Sequence, residues 1–318
     1  MSFSILGTGS AIPETVVTND DLAEFLDTSD EWISQRTGIR ERRVSAGETA
    51  SQLATAAASR ALKNASVKPG EIDLIICSTI GGEYITPTTA CMVQQRIGAR
   101  CPAFDVNGAC AGFITALDIA KSYFDAGRTD KILVVSSEQM TRYIDWSDRS
   151  SCVLFGDAAG AVLLGRGENL LSIVTHTAGN DTLLTIGGVR GSSPYLSAAA
   201  PDSTLFMDGG EVYKYAVNAM ARDVAEAAAA AAIEVSDISY VLSHQANLRI
   251  IQATQKKLGI GAERFCVNID KRGNTSSAAI PLLLDECSSQ GKFTRGDLLA
   301  MCAFGGGLSD GACIIRWN

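Results

Sequence analysis

The chain repeats its own strand–helix grammar, and this duplication restricts the architectures open to it more than any composition figure does. Ile72-Asp73-Leu74-Ile75-Ile76 is matched by Ile238-Ser239-Tyr240-Val241-Leu242, an offset of 238 − 72 = 166. Ile132-Leu133-Val134-Val135 is matched by Leu298-Leu299-Ala300-Met301 at the same offset, 298 − 132 = 166. Between the members of each pair lie a short strand, a small-residue loop and a helix, over 104–120 in the first half and 265–286 in the second. Strand patterns alternating with long helical ones imply βαβ units and largely parallel sheets. Repeated twice, they predict two halves, 1–170 and 171–318, packed as a pseudo-dimer. Loops at corresponding strand ends would then converge on one crevice, where open α/β sheets bind ligands.

With 318 residues, 46% of them hydrophobic and 19% charged, the chain is able to bury a sizeable core. The spacing predicts helices over 20–26, 30–35, 49–65, 88–97, 111–126, 211–233, 248–258 and 276–289, with Ser29 and Thr49 as N-caps. The apolar run 225–233 is too short to span a bilayer and begins beside Asp223 and Glu226, so no membrane insertion is expected. Segment 180–202, rich in Gly, Ser, Ala and Pro, reads as a long excursion suited to a substrate-access loop. Residues 1–7 carry neither a basic nor a long apolar region, so no secretory signal is expected. Nine cysteines without C-x-x-C pairs argue against a disulfide framework and a zinc site. No metal is expected, and a reducing cytoplasm fits. A net charge of −8 argues against nucleic-acid binding.

Cys110 stands between an apolar strand, 101–106, and the helix 111–126. Unpaired N–H groups and the dipole at a helix N-terminus favour a thiolate there. Flanking Ala and Gly leave room for a substrate. A buried cysteine is ordinarily inert packing; the position and the partners set this one apart. Of the two histidines, His176 lies in an alternating strand and reads as structural. His244 follows the strand 240–242 and precedes a helix, at the strand's C-terminal end where α/β sites gather. Asn274, between Gly273 and Thr275-Ser276, reads locally as a turn or helix cap, yet it lies in the second-half loop that answers to the Cys110 loop. Phe304-Gly305-Gly306-Gly307 follows the strand 298–302 and lets backbone N–H groups approach a reacting atom. No G-x-G-x-x-G run stands in a strand–helix context, which argues against a nucleotide site.

These segments, with Asp27-Thr28-Ser29-Asp30-Glu31-Trp32-Ile33, Arg36-Thr37-Gly38-Ile39-Arg40-Glu41-Arg42 and His244-Gln245-Ala246-Asn247-Leu248-Arg249-Ile250, together resemble a family. It is the β-ketoacyl-acyl-carrier-protein synthase III family of the thiolase superfamily, the condensing enzymes that initiate bacterial fatty-acid synthesis. The likeness runs over nearly the whole chain. It implies an α/β fold of duplicated βαβαβαββ halves in α-β-α-β-α layers, a cytoplasmic homodimer and no permanently bound cofactor.

The resemblance also implies roles. Cys110 would take an acyl group from acyl-CoA, with the N–H groups of Cys110 and Gly306 holding the oxyanion. His244 and Asn274 would bind the thioester oxygen as malonyl-acyl-carrier protein loses carbon dioxide, with Phe304 shielding that side from water. Thr28, Trp32, Arg36, Arg149, Asn247 and Arg249 would line the CoA route. Lys214, Arg249, Lys256 and Lys257 would form a basic patch for the acidic carrier protein. Four places depart from the family pattern: Leu308-Ser309-Asp310-Gly311 replaces Thr-Trp-Gly, Asn107-Gly108 precedes Ala109-Cys110, Ser150 follows Arg149, and Thr86 stands where a Phe often caps the acyl pocket. The last implies a deeper pocket and acyl chains longer than acetyl. Two other readings use the same residues: a starter-unit selector or acyltransferase to oxygen or nitrogen in a secondary pathway, and a Cys-His-Asn thioester hydrolase.

Overall fold

The computed structural model describes residues 2–188 and 203–318. Its first half runs β1 (Ser2–Ala11), β2 (Val16–Thr18), α1 (Asn19–Ala23), α2 (Asp30–Thr37), β3 (Glu41–Arg43), α3 (Ala50–Ala65), β4 (Leu74–Ser78), α4 (Thr89–Ile97), β5 (Ala103–Val106), α5 (Gly112–Asp125), β6 (Lys131–Gln139) and β7 (Asp157–Gly167). The second runs β8 (Leu170–Asn180), β9 (Leu184–Ile186), β10 (Leu205–Met207), α6 (Gly209–Ala230), β11 (Tyr240–Ser243), α7 (Leu248–Leu258), α8 (Ile269–Arg272), α9 (Ala279–Ser289), β12 (Leu298–Gly305) and β13 (Gly307–Arg316).

One sheet has the order β1-β7-β6-β4-β5, and the other, read in the matching direction, β8-β13-β12-β11. A lone parallel bridge from Val241 to Phe265 stands where the second sheet would have its fifth strand. The sheets are mixed, which corrects the expectation of largely parallel ones. β4 is parallel to β5 and β6, and β11 to β12, while β7 and β13 are antiparallel to both their neighbours. The cause is connectivity: no helix crosses over between β6 and β7 or between β12 and β13, so each pair folds back on itself.

The layers follow. α3 and α4 cover the outer face of the first sheet, α6 and α7 that of the second, and α5 and α9 lie between the sheets. Phe113, Leu117, Leu283 and Leu284 from the central helices pack with Leu74, Ile76, Leu242 and Met301 of the strands. Ala54, Ala57, Ala58 and Ala61 are fully buried on α3. These small side chains let α3 lie close on β1, where a Cβ at Gly9 would come within 2.4 Å of the Ala57 carbonyl oxygen.

Ser29 and Thr49 cap α2 and α3 through bonds from Trp32 N–H and Gln52 N–H, as the sequence predicts. Several helices differ from expectation at their ends. α1 stops at Ala23, and α6 spans Gly209–Ala230, started by Asp208, whose Oδ1 accepts from Gly210 and Glu211 N–H. α5 and α9 start later than predicted, because 3-10 turns at Ala109–Ala111 and Ser276–Ala278 precede them. Ala109 (φ +46°) and Ser276 (φ +51°) take the left-handed conformation at the start of those turns. Within the predicted excursion 180–202, β9 forms a strand that pairs antiparallel with β10 beyond it; residues 189–202 lie outside the described residues. No described helix is long and apolar enough to cross a membrane.

Candidate active site

Cys110, His244, Asn274, Phe304 and Gly306 all line one cavity of about 1370 Å³. Cys110 follows β5 and His244 follows β11, so each lies beyond the C-terminal end of a parallel strand. The turn at Cys110 is shaped by Asn107, whose Oδ1 accepts from Ala109 N–H at 3.1 Å. This accounts physically for one of the departures noted above. The glycine turn packs on the backbone of Cys110: a Cβ at Gly305 would lie 2.6 Å from the Cys110 nitrogen.

His244 is 1% exposed. Its main-chain N–H donates to Cys302 O at 2.8 Å, continuing the β11–β12 pairing by one residue. The ring meets Phe304 edge to face, with centroids 5.5 Å apart. Burial pulls its pKa down to about 3, so the imidazole is neutral and carries a single N–H for donation. Asn274 is held by the other half: its main-chain N–H donates to Leu154 O at 2.8 Å and its carbonyl accepts from Gly156 N–H at 3.1 Å. Its Oδ1 accepts from Ser276 N–H at 2.9 Å. The side-chain amide therefore has its acceptor engaged and keeps Nδ2 as a donor.

The thiol itself overturns one expectation. Burial pushes Cys110 up to about 12, against hydrogen bonding with Ser276 and its own backbone. The cysteine lies in a 3-10 turn ahead of α5 rather than on its first α-helical turn, and desolvation outweighs the dipole. In the unliganded state the residue is a thiol, and its Sγ donates to Ser276 Oγ at 3.4 Å.

The outer part of the cavity is lined by Trp32, Arg36 and Asn247. The guanidinium carbons of Arg36 and Arg149 lie 4.5 and 5.2 Å from the Trp32 ring centroid. Arg149 also pairs with Asp27 (Nη1 to Oδ2, 3.3 Å). Asn247 caps α7 by accepting from Arg249 N–H at 2.9 Å. Arg249 donates to Gln35 O at 3.2 Å. Thr28, Arg149 and Arg249 do not line the cavity, although the Thr28 hydroxyl is buried without a partner. Thr86 is exposed beside Tyr84 (61%) and Ile85 (77%) and does not line its own chain's cavity.

Lys214, Lys256 and Lys257 are exposed, with Lys256 and Lys257 in the last turn of α7. Lys214 is engaged with Glu211 at 2.6 Å, and Lys257 bonds Asn218. The departure at Asp310 has a physical account as well. This side chain, on β13, is buried and bonds Tyr215 and Arg222. Arg222 bonds Asp223 too, and His176 Nδ1 lies 3.3 Å from Asp223 Oδ1. The ligating atoms of His176, Asp223 and Asp310 lie within 4.8 Å of one another, and Arg222 already supplies the positive charge that joins the two carboxylates.

Sequence reasoning missed Ser276 and Glu138. Glu138, on β6, is fully buried beneath the cavity and accepts from the Ser276 and Ser277 hydroxyls.

Comparison with known proteins decides the family. Residues 104–181 match the model of 3-oxoacyl-[acyl-carrier-protein] synthase III, and residues 228–317 match its C-terminal model. The chain is 46% identical to the β-ketoacyl-[acyl-carrier-protein] synthase III of Xylella fastidiosa over 317 residues, covering 98% of both chains. It belongs to the synthase III family. The corresponding Clostridium acetobutylicum protein is 42% identical over 323 residues, covering 100% of this chain and 99% of its own. The crystal structure of the Aquifex aeolicus synthase III superposes with a TM-score of 0.93 at 43% identity, covering 99% of this chain and 100% of that one. The duplicated α-β-α-β-α fold is thus that of the family, and the chain is a condensing acyltransferase of fatty-acid biosynthesis.

Proposed function

We propose that the enzyme joins an acyl-CoA primer to malonyl-acyl-carrier protein by way of an acyl group carried on Cys110. The observation that carries this reading is the convergence of Cys110 with His244, Asn274 and the glycine turn on one cavity. Cys110 attacks the acyl-CoA carbonyl, and its N–H with that of Gly306 holds the oxyanion. CoA leaves and malonyl-acyl-carrier protein takes its place. As carbon dioxide departs, charge builds on the malonyl thioester oxygen. The neutral His244 ring and the free Nδ2 of Asn274 donate to that oxygen, and the buried Phe304 keeps water from the enolate. The enolate carbon then attacks acyl-Cys110 to give the β-ketoacyl product.

CoA enters past Trp32, with Arg36, Arg149, Asn247, Thr28 and Arg249 along its path; the two guanidiniums beside the Trp32 ring support a site for adenine and phosphate. Arg249, Lys256, Lys257 and Lys214 receive the carrier protein. The halves 1–170 and 171–318 act as one unit, and the enzyme works in the cytoplasm as a homodimer without a bound cofactor. The exposed Tyr84–Thr86 segment suits the dimer contact, and Thr86 in place of a Phe admits acyl chains longer than acetyl.

Intact-protein mass spectrometry after incubation with a panel of acyl-CoAs tests this. One acyl increment is expected on the native protein and none on Cys110→Ala. Carbon dioxide release on adding malonyl-acyl-carrier protein separates condensation from simple acyl transfer. An unmodified native protein, or an acylated Cys110→Ala, refutes the reading. Acylation that falls sharply beyond four-carbon esters refutes the Thr86 assignment.

A further inference from the structure

Below the thiol lies a connected set of donors that ends on a buried acid. Cys110 Sγ donates to Ser276 Oγ at 3.4 Å, and Ser276 Oγ donates to Glu138 Oε1 at 3.2 Å. The second oxygen of Glu138 accepts from Ile80 N–H at 3.1 Å and the Thr79 hydroxyl at 3.5 Å, and Ser277 Oγ donates to Oε1 at 2.6 Å. All these partners are neutral, and among the described residues no ion pair reaches this carboxylate. An acid with no exposed surface and no cation beside it is costly to keep ionised.

We propose that Glu138 is the acceptor of the Cys110 thiol proton, reached through the Ser276 hydroxyl. This rests on the acyl-Cys110 reading and supplies its missing base. The buried His244 is a poor acceptor, because its pKa lies near 3. Burial raises Glu138 to about 7 against the opposing pull of its hydroxyl and N–H donors, which suits a group that takes up and returns a proton at neutral pH. The other ionisable groups that feel its charge are Cys77 on β4, Cys110 itself and Tyr143 after β6, and each is raised.

The steps balance. In acylation the Cys110 S–H bond breaks, its proton goes to Ser276 Oγ, and the Ser276 proton goes to Glu138 Oε1. The new thiolate forms the S–acyl bond, the acyl–CoA bond breaks, and the CoA thiolate takes a proton from solvent. In condensation the enolate carbon bonds the acyl carbon and Cys110 leaves as a thiolate. The proton held on Glu138 returns to it through Ser276. Glu138 touches no substrate; it positions a proton.

The two roles open to a buried carboxylate here predict opposite signs. Its negative charge contributes to raising Cys110, so a purely electrostatic or packing role would make Glu138→Gln acidify the thiol and speed acylation. A relay predicts slowing. The experiment is single-turnover acylation of Cys110 by acetyl-CoA without malonyl-acyl-carrier protein, quenched and read by intact mass across the neutral pH range. The native enzyme should show a rate that rises through one limb near neutrality. Glu138→Gln should lose that limb and fall by about 10²-fold, Ser276→Ala should do likewise, and the double variant should be no slower than the worse single one. An equal or faster Glu138→Gln, or a native pH limb in either variant, overturns the relay. Should Glu138→Gln fail to fold, Ser276→Ala alone decides by its rate and limb. A native enzyme that never gains the acyl mass would sink the parent reading instead.

Discussion

In the first half, Ala109 at φ +46° opens the 3-10 turn that leads into α5; in the second, Ser276 at φ +51° opens the one that leads into α9. The two turns face each other between the sheets, and neither central helix has a side-chain N-cap. One turn carries the thiol and the other the serine that bonds it, with His244 and Asn274 flanking from the second half. The difference teaches a division of labour. The backbone device is duplicated, while in the proposed mechanism the first half supplies the group that reacts and the second the groups that steady charge.

The sharpest way to break this comparison is to disarm the second half and leave the first intact. His244→Ala and Asn274→Ala should each lower carbon dioxide release from malonyl-acyl-carrier protein by roughly 10²–10³-fold, while acylation of Cys110 continues. If acylation collapses equally in both variants, the division is wrong. Next in size, Gly305→Ala places a methyl group 2.6 Å from the Cys110 nitrogen. An ångström-scale displacement of that N–H should slow acylation by up to about 10²-fold, measured against the thermal midpoint to exclude unfolding.

A smaller effect is expected at the cavity mouth. Trp32→Ala should raise KM for acyl-CoA by roughly tenfold, in keeping with about 1–3 kcal/mol for base–aromatic stacking, with kcat little changed. A fall in kcat at constant KM would move Trp32 out of the binding role. The last effect is a pH slope in stability rather than a change in activity. Burial lowers His244 from 6.5 to about 3, so on acidification the unfolded chain binds this proton first. Stability from the neutral ring is present above pH 6.5 and is lost as pH falls toward 3, at no more than about 1.4 kcal/mol per pH unit. Urea titrations of His244→Asn should show a flatter acid limb than the native protein; an identical limb would place the titrating group elsewhere.

Much of this is legible in the chain. The offset of 166 marks the equivalence of β4 with β11 and of β6 with β12, because buried strands leave uninterrupted apolar runs. α2 and α3 declare their starts through Ser29 and Thr49, whose side chains do the capping locally. The mixed character of the sheets is not legible, since it depends on which strands are joined without a helix. Cys110 stands out by its place between strand and helix, but its charge state does not: it is set by burial in the folded chain, which outweighs the hydrogen bond to Ser276 from the opposing turn. Glu138 escapes notice for the same reason. It closes an apolar strand and reads as an edge acid until Ser276 and Ser277 fold over it. The one signal is an acidic residue at the end of an otherwise buried strand.

Asn274 belongs by sequence to the second half, yet its main chain is stitched to Leu154 and Gly156 of the first. The amide proposed to hold the malonyl thioester oxygen is thus clamped by the opposite lobe. A version of this protein severed between its lobes would have to dock them again before that amide acquired any fixed direction.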